Sequence, residues 1–203
     1  MLLDLHNCRL CPRACGVDRL AGGRGWCRTG PAAEIASVCL HRGEEPVLGG
    51  GAVCNVFFAR CNLACRFCQN RQISDLHAPI PLLAPEKAVE KIIAILGRGV
   101  DTLGFVSPTH QIPAMLELVT AVRERGFSPT IVYNSNGYDV PEVLATLEET
   151  VDIYLPDFKY ADEGLARACS AAPEYPRHAL RALREMFRQR GRRLELDDAG
   201  RAR

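Results

Sequence analysis

The chain has 203 residues, enough for one domain with a real hydrophobic core. Apolar residues make up 47% of it and charged residues 24%, which is ordinary globular usage and excludes a disordered or collagen-like chain. Its 25 basic and 24 acidic residues give a net charge of +1, which excludes a strong field that would attract phosphate backbones or anionic membranes. We expect a soluble protein with no nucleic-acid and no membrane partner.

The sequence contains no apolar run near the roughly 20 residues that a membrane span needs. At its start, Asp4 and His6 stand where a signal peptide would have a basic stretch followed by an apolar one. We therefore expect a cytoplasmic protein. In that reducing compartment the ten cysteines are expected to bind metals or do chemistry rather than form disulfides.

Residues 1–51 are predicted to form a Cys-rich N-terminal segment and a connector. From Asn7 to Gly30 the chain is rich in Cys, Gly, Arg and Pro and has no helical or strand period, so it cannot bury an apolar face by itself. The apolar run Ile35 to Leu40, followed by a turn signal at Gly43, is interpreted as a short hairpin or connector.

Residues 52–203 alternate strand-length apolar runs with amphipathic stretches that open on a proline. The predicted strands are Val53–Ala59, Thr102–Ser107, Thr130–Asn134 and Val151–Phe158, and the predicted helices are Pro85–Leu96, Pro113–Arg125 and Pro141–Thr150. Near-continuous apolar strands joined by helical crossovers predict an α/β fold with a parallel sheet and functional residues at the carboxyl ends of the strands.

The last part of the chain is predicted to contain one or two helices, with an apolar face formed by Leu180, Leu183, Met186 and Phe187. The strand-like piece Arg193 to Leu196 follows. Because four strands cannot close a barrel, we expect a shortened chain with an exposed sheet edge.

The strongest motif is Cys61-x3-Cys65-x2-Cys68, directly after the first predicted core strand. Sulfur ligands in a loop favour an iron–sulfur cluster or zinc. A structural zinc site needs four closed ligands, whereas a cubane held by three cysteines leaves one iron open for a small molecule. The spacing therefore favours a cluster, with buried apolar cysteines or a zinc knuckle as the alternatives.

This loop resembles the radical-SAM superfamily, with the aromatic Phe67 before the last cysteine. Its flanks, Asn55 to Phe58 and Gln69 to Ser74, look like a branch that is similar to pyruvate formate-lyase activating enzymes. The resemblance implies a partial (β/α) barrel of about four β/α units with a Cys-rich N-terminal metal-binding extension. It further implies that the three cysteines hold a 4Fe–4S cluster and that Phe67 lies at the cofactor site.

Two further segments carry the resemblance. Asn134-Ser135-Asn136-Gly137 is similar to the Asp-Thr-Asn-Gly segment of the activating enzymes, and Asp157-Phe158-Lys159 to their D-x-K motif. The resemblance implies that Asn134, Ser135, Asp157 and Lys159 bind S-adenosylmethionine. A carboxylate and an ammonium at a strand end suit a zwitterionic amino acid, although a surface ion pair is the alternative.

One strand end departs from the pattern. Many radical-SAM proteins have Gly-Gly-Glu after the second strand to bind the methionyl amine, where this chain has Ser107-Pro108-Thr109-His110. A role for His110 in that contact is one interpretation, and a merely solvated side chain is the other.

The N-terminal cysteines form a second constellation, Cys8-x2-Cys11-x3-Cys15 with Cys27 after a Gly-rich stretch. Four thiols in a segment without a core predict a second metal site, either zinc or iron–sulfur, whose binding energy becomes folding energy. Cys39, Cys54 and Cys169 have no partner at motif spacing and are given no role.

The resemblance implies that the reduced cluster cleaves S-adenosylmethionine to methionine and a 5′-deoxyadenosyl radical, which abstracts hydrogen from a substrate. It implies a reduced electron donor such as flavodoxin or ferredoxin and, as in the activating enzymes, a protein substrate with a backbone glycine. The alternatives are a non-catalytic metal-binding protein, zinc or iron–sulfur, and an inactive shortened radical-SAM fragment.

Overall fold

The computed structural model describes residues 3–43 and 51–193 of the chain. Within them lies one five-stranded sheet with the strand order β1-β2-β3-β4-β5. The strands are β1 Ile35–Arg42, β2 Ala52–Phe58, β3 Thr102–Val106, β4 Thr130–Ser135 and β5 Ile153–Pro156. β2 to β5 are mutually parallel, and β1 runs antiparallel to β2. The predicted α/β class with a parallel sheet is confirmed.

Helices follow the parallel strands in the expected alternation. They are α1 Arg71–Ser74, α2 Pro85–Leu96, α3 Ile112–Glu124, α4 Pro141–Ala145, α5 Glu163–Ser170 and α6 Tyr175–Arg190, with a short 3-10 helix at Pro108–Gln111. Prolines at the first or second position of α2, α3, α4 and α6 stand where the missing N–H costs nothing. No helix among the described residues is long and apolar enough to cross a membrane.

The main core lies between one face of the sheet and the helices α2, α3, α4 and α6. Alternating strand residues such as Leu103, Phe105 and Tyr133 point into it and are fully buried. A small group on the opposite face, Val132 with Ile153, packs against Leu155. The sheet therefore has one thickly covered face, and its carboxyl-terminal edge carries the polar loops.

The structure differs from the sequence prediction at β1, which is more than a connector. The run from Ile35 onward is a strand that pairs along its length with β2, so that Ile35 lies opposite Phe58. Although β1 lies before residue 52, where the barrel was predicted to begin, it belongs to the same sheet. The apolar run was visible in the sequence, but a pairing partner beyond the intervening Gly-rich stretch was not.

Two other elements are shorter than predicted. α4 ends at Ala145, because the next residues form tight turns in which Thr146 donates to the carbonyl of Val143 through both its amide and its hydroxyl. β5 covers only Ile153–Pro156, since its ladder with β4 begins at Ile153 and ends at Pro156. Both predicted elements exist, and only their ends were wrong.

The predicted apolar face of α6 is correct at Met186 and wrong at Leu180 and Phe187, which are 48% and 59% exposed. The buried residues of this helix are Tyr175, Ala179, Ala182 and Met186. Small alanines at helical spacing let the helix approach its neighbours closely, which the large residues would prevent. The exposed residues line a groove of about 820 Å³ between α6 and β5. Of the predicted strand-like piece after Arg193, residues 194–196 lie outside the described residues.

Candidate cluster and cofactor site

The loop with the three cysteines begins at the carboxyl end of β2. Arg60 reverses the chain there with a positive φ of 67°, and its amide donates to the carbonyl of Ile73 at 2.6 Å. Farther along, the amide of Cys68 donates to the carbonyl of Cys65 at 3.2 Å, which closes the second half of the motif into a turn. The loop is therefore compact and starts and ends on the same strand edge.

Each of the three sulfurs accepts at least one hydrogen bond. Cys61 accepts from the amide of Leu63 and from Nδ2 of Asn136, both at 3.4 Å. Cys65 accepts from Oγ of Ser170 at 2.9 Å, and Cys68 accepts from Oγ of Ser74 at 3.3 Å. Donors aimed at sulfur stabilise its anionic, metal-bound form and tune the redox potential of a cluster. This environment suits thiolates better than buried apolar cysteines.

The three thiols lie within electrostatic reach of one another. Burial, with a contribution from the nearby Cys65 and Cys68, raises the pKa of Cys61 to about 12, although the hydrogen bonds from Leu63 and Asn136 oppose the rise. Among residues 3–43 and 51–193, no set of three or more His, Cys, Asp and Glu side chains already stands in metal-binding geometry. Three cysteine sulfurs are suitable ligands for an iron–sulfur cluster. To bind it, they must lose their protons and move closer to a common centre.

A pair of buried asparagines, missed in the sequence analysis, fixes the cysteine loop to the end of β4. Nδ2 of Asn136 donates to Oδ1 of Asn62 at 2.7 Å, and Nδ2 of Asn62 donates to the carbonyl of Tyr138 at 2.7 Å. The amide of Tyr138 donates in turn to Oδ1 of Asn136 at 2.9 Å. Asn136 belongs to a segment that the sequence analysis did single out, so the polar strand end was the available signal.

Asn134 and Ser135, both predicted cofactor contacts, lie at the end of β4. Asn134 is half-buried, and its carbonyl accepts the amide of Ser107 at 2.7 Å. Ser135 is fully buried, its hydroxyl donates to Oδ2 of Asp139, and it accepts the amide of Gly137 at 2.8 Å. The hydroxyl of Ser135 is therefore engaged inside the protein, and contact of either residue with a cofactor stays a prediction.

Asp139 is the centre of a buried hydrogen-bond network below this strand end. Its carboxylate accepts the hydroxyls of Ser135, Thr109 at 2.6 Å and Tyr133 at 2.8 Å. Burial raises the pKa of the carboxyl, and the three hydroxyls oppose that rise because they favour the charged form. The network joins the ends of β3 and β4 and so fixes the edge of the sheet on which the cysteine loop lies.

Asp157 and Lys159 follow β5 and form an ion pair, with 2.5 Å between Lys159 Nζ and Asp157 Oδ2. Burial raises the pKa of the Cys65 thiol, and the hydrogen bond from Ser170 and the nearby Lys159 ammonium oppose that rise. The amide of Lys159 donates to the hydroxyl of Tyr175 at 2.9 Å, and that hydroxyl donates to the carbonyl of Asn136 at 2.9 Å. The structure therefore brings the charged pair next to the cysteine loop.

Phe67, between the last two cysteines, is 57% exposed. Its ring meets Tyr160 edge to face with 6.2 Å between the ring centroids. An exposed ring beside the thiols offers a flat apolar surface to a ligand, and its cofactor contact stays a prediction.

The prediction of a solvated His110 is wrong. The residue is 1% exposed, and its Nε2 lies 2.9 Å from the carbonyl of Ala59, two residues before Cys61. Burial lowers the pKa of the imidazole to about 4, so the ring is neutral and donates through Nε2. His110 anchors the end of β2 inside the protein, because the 3-10 helix turns it inward rather than toward solvent.

The four N-terminal cysteines come together in the segment before β1. Cys8, Cys11 and Cys27 are buried and Cys15 is exposed. Burial raises the pKa of Cys11 far above its usual value, and the nearby Cys27, Cys15 and Cys8 raise it further. Of the cysteines that were given no role, Cys54 is buried in the main core, and Cys169 packs against the same small apolar cluster as Cys61 and Cys65.

Comparisons with known proteins agree with this geometry. The family model of the radical SAM superfamily matches residues 55–193, from within β2 to beyond α6. An uncharacterized protein of Methanocaldococcus jannaschii is 32% identical over 176 residues, which cover 83% of this chain and 50% of that protein. A 7-carboxy-7-deazaguanine synthase of Methanopyrus kandleri is 29% identical over 164 residues, which cover 70% of this chain and 62% of that protein.

The chain thus spans between half and two thirds of the length of these curated relatives. The family match covers β3 to β5, most of β2, the cysteine loop and the predicted strand-end residues. It confirms the resemblance to the radical-SAM superfamily. The chain belongs to the radical-SAM superfamily, whose members typically use a 4Fe–4S cluster and S-adenosylmethionine.

Proposed function

We propose that this chain is a radical-SAM enzyme in which Cys61, Cys65 and Cys68 hold a 4Fe–4S cluster. The observation that carries the proposal is the set of three thiols on one strand end, each with a hydrogen-bond donor aimed at its sulfur. A closed structural zinc site would need a fourth ligand. Three cysteines leave one iron for the amino and carboxylate groups of S-adenosylmethionine.

The charged pair after β5 suits the zwitterionic end of that ligand. The Lys159 ammonium can pair with the ligand's carboxylate, and the Asp157 carboxylate, which is half exposed, can pair with its ammonium. Phe67 offers its exposed ring to the adenine base. Asn134 and Ser135, at the end of β4 between these groups and β3, are the remaining proposed contacts.

When bound, the cluster supplies the one electron that splits the sulfonium into methionine and a 5′-deoxyadenosyl radical, which then takes a hydrogen atom from the substrate. A reduced protein such as flavodoxin or ferredoxin is the proposed source of the electron. The chain itself orients the ligand through Asp157 and Lys159. It also holds the loop in place through the hydrogen bond between Asn62 and Asn136.

The reaction class is tested by anaerobic reconstitution with iron and sulfide, followed by measurement of 5′-deoxyadenosine under reducing conditions. We expect iron and sulfide uptake and deoxyadenosine in wild type and in the control Cys39→Ala, which alters a half-buried thiol of β1. Iron uptake without deoxyadenosine would favour an inactive radical-SAM fragment. Binding of zinc alone at Cys61, Cys65 and Cys68 would favour the non-catalytic metal-binding alternative and overturn the proposal.

For the substrate we propose a backbone glycine of a partner protein, as in the activating enzymes of glycyl-radical enzymes. The support is the similarity of Asn134 to Gly137 and of Asp157 to Lys159 with two segments of those enzymes. The alternative is a small molecule, which the Methanopyrus kandleri relative favours because its name describes the synthesis of 7-carboxy-7-deazaguanine.

Deuterium transfer distinguishes these substrates. Cells are grown on glycine deuterated at Cα, and their extract is separated into a protein fraction and a small-molecule fraction. The reconstituted enzyme is incubated with each fraction. The activase proposal predicts deuterium in 5′-deoxyadenosine with the protein fraction. Deuterium from the small-molecule fraction alone would contradict it and would leave the radical-SAM reaction itself intact.

A further inference from the structure

The segment before β1 has an unusual basis for its order. Residues 3–34 contain no helix or strand. Of the largest fully buried side chains in the described part of the chain, this segment contributes only Leu10. Backbone bonds such as those of Cys8 with Val17 and Gly16 close a loop, but a loop of this kind does not bury enough apolar surface to stay ordered. Another source of stability is required.

The four thiols of this segment are the candidates for that source. The amide of Gly16 donates to the carbonyl of Cys8 at 2.9 Å, which brings Cys15 back toward the first cysteine of the loop. Two sulfurs accept hydrogen bonds from the same segment: the amide of Trp26 donates to Cys15 at 3.3 Å, and Nη2 of Arg19 donates to Cys27 at 3.4 Å. These donors favour thiolates, as at the other cysteine loop.

Close packing of the backbone against one of the thiols leaves more room for a single ion than for a cluster. A Cβ on Gly25 would lie 2.8 Å from Sγ of Cys15, so the backbone is already against that sulfur. Tetrahedral zinc needs sulfurs about 3.8 Å apart, given its Zn–S bonds of about 2.3 Å, whereas a cubane also needs room for its own iron and sulfide atoms.

Two arginines of this segment reach into the rest of the protein. Arg13 stacks on Trp26 with 3.8 Å between its guanidinium carbon and the ring centroid. Its Nε donates to the carbonyl of Asn62 at 3.0 Å, and its Nη1 donates to that of Ala171 at 2.7 Å. Asn62 is the residue after Cys61, and Ala171 follows Ser170, the hydrogen-bond donor to Cys65. Arg13 therefore joins the cysteine loop to the end of α5, which donates to Cys65.

Arg19 makes the second connection. It is 3% exposed, and while its Nη2 contacts Cys27, its Nη1 donates to the carbonyl of His110 at 2.9 Å. His110 in turn bonds the carbonyl of Ala59 at the end of β2. A chain of direct contacts thus joins a sulfur of the N-terminal group to the strand that carries Cys61.

We propose that Cys8, Cys11, Cys15 and Cys27 bind a structural zinc ion, and that this site positions Arg13 as a clamp on the loop of Cys61 to Cys68. Zinc binding closes the four thiols into one tetrahedron and orders the segment. The ordered segment holds Arg13 over the loop, where it acts as a positioning residue. The second half of the proposal rests on the proposed function, and the first half does not.

The zinc site is tested by metal analysis of the full chain before cluster reconstitution. We expect about one zinc ion per chain, in agreement with one four-cysteine site, and retention during dialysis against EDTA. Cys11→Ala should lose it, and Cys39→Ala should keep it. Because Cys11→Ala could fold poorly, titration of wild type with a mercurial provides a second measurement, in which blocked thiols release the zinc.

Three outcomes would overturn the zinc site. They are a wild-type chain without zinc, a Cys11→Ala chain that retains it, and iron with sulfide in a reconstituted triple variant of Cys61, Cys65 and Cys68 to alanine. The last would show that the N-terminal cysteines hold an iron–sulfur cluster instead. None of them depends on the formation of deoxyadenosine, so this test is independent of the proposed function.

The clamp is tested with Arg13→Ala against Arg9→Ala, an exposed arginine of the same loop. Arg13→Ala should retain zinc but lose iron from the cluster about tenfold faster under chelation, because Arg13 makes one charge-assisted hydrogen bond to the loop itself, at Asn62, and such a bond is worth on the order of one decade. The electron paramagnetic resonance signal of the reduced cluster should also shift, and Arg13→Lys should restore it only in part. An iron-loss rate and signal equal to those of Arg9→Ala would refute the clamp.

Discussion

Residues 3–34 and residues 35–193 are ordered by different means. The second region buries helices against a sheet, with residues such as Leu103, Ile131 and Met115 fully enclosed. The first has no helix or strand. Apart from three cysteines and Leu10, its buried side chains are polar or charged, namely Arg19, Thr29 and Glu34. Apolar burial accounts for the sheet region, whereas sulfur and arginine contacts account for the N-terminal segment.

The cysteine loop after β2 lies where these two regions meet. The loop is bonded to the sheet region through the side chain of Asn136 and the end of α5, and to the N-terminal segment through Arg13. A change in either region should therefore reach the cluster, by different routes and with different side effects. The following predictions separate those routes.

The largest effect is expected for Cys65→Ala, which removes one of three proposed cluster ligands. The variant should bind little iron after reconstitution and form no measurable 5′-deoxyadenosine, while the N-terminal segment keeps its metal. Iron and zinc analysis of the same sample checks both statements. A Cys65→Ala protein that still assembles the cluster and cleaves the cofactor would refute the ligand assignment.

Asp139→Ala should be the most destabilising change within the sheet region. It leaves the buried hydroxyls of Ser135, Thr109 and Tyr133 without their common acceptor, which we expect to cost on the order of 3 to 5 kcal/mol in the free energy of unfolding. Denaturant unfolding measures this. The control is Glu90→Gln, which changes an exposed helical ion pair with Lys87 and should leave the midpoint unchanged; equal midpoints for both variants would contradict the role of the network.

His110, which bonds the end of β2, should make the free energy of unfolding depend on pH. Its pKa is lowered from 6.5 to about 4 by burial, so the folded state binds its proton more weakly than the unfolded state. The resulting stability is fully present above pH 6.5 and is lost as the pH falls toward 4, with a contribution on the order of 3 kcal/mol.

His110→Gln tests this pH dependence, because an amide can donate to the Ala59 carbonyl without titrating. Between pH 7 and pH 4, we expect the unfolding free energy of wild type to fall more than that of the variant. Parallel curves over that range would show that the imidazole is not responsible.

The smallest effect is expected for Ser170→Ala, which removes the hydroxyl that donates to Cys65 at 2.9 Å. Hydrogen bonds to cluster sulfurs stabilise the more negative, reduced state, so the reduction potential of the cluster should fall. A redox titration followed by electron paramagnetic resonance checks this, with Ser37→Ala in β1 as the control. An unchanged or raised potential would show that this hydroxyl does not act on the cluster.

The parallel strands and their helices could be predicted from the sequence. Strands such as β3 and β4 are short apolar runs between amphipathic helices, and local periodicity determines both. The cysteine loop was readable for a different reason, since its ligand spacing is local. The pairing of β1 with β2 was not predicted as part of the sheet, because it depends on a partner across a stretch without any period.

Most residues that hold the cysteine loop in place could not be predicted from the sequence. Arg13 bonds a carbonyl 158 positions away at Ala171, and nothing in the composition of its loop indicates that partner. For His110 the two interpretations were a cofactor contact and a solvated side chain, because the sequence does not reveal that a 3-10 helix turns it into the protein. Side-chain direction at the end of a strand is set by tertiary packing, and the inward turn of Ser135 toward Asp139 is a further case.

We propose that three thiolates of this chain hold a cluster whose fourth iron binds S-adenosylmethionine. Mössbauer spectra of the protein reconstituted with ⁵⁷Fe, recorded with and without that ligand, test this proposal. We expect about a quarter of the iron absorption, the share of one site in a 4Fe–4S cluster, to change on addition of the ligand. Spectra of a fully loaded cluster that are identical with and without S-adenosylmethionine would contradict it.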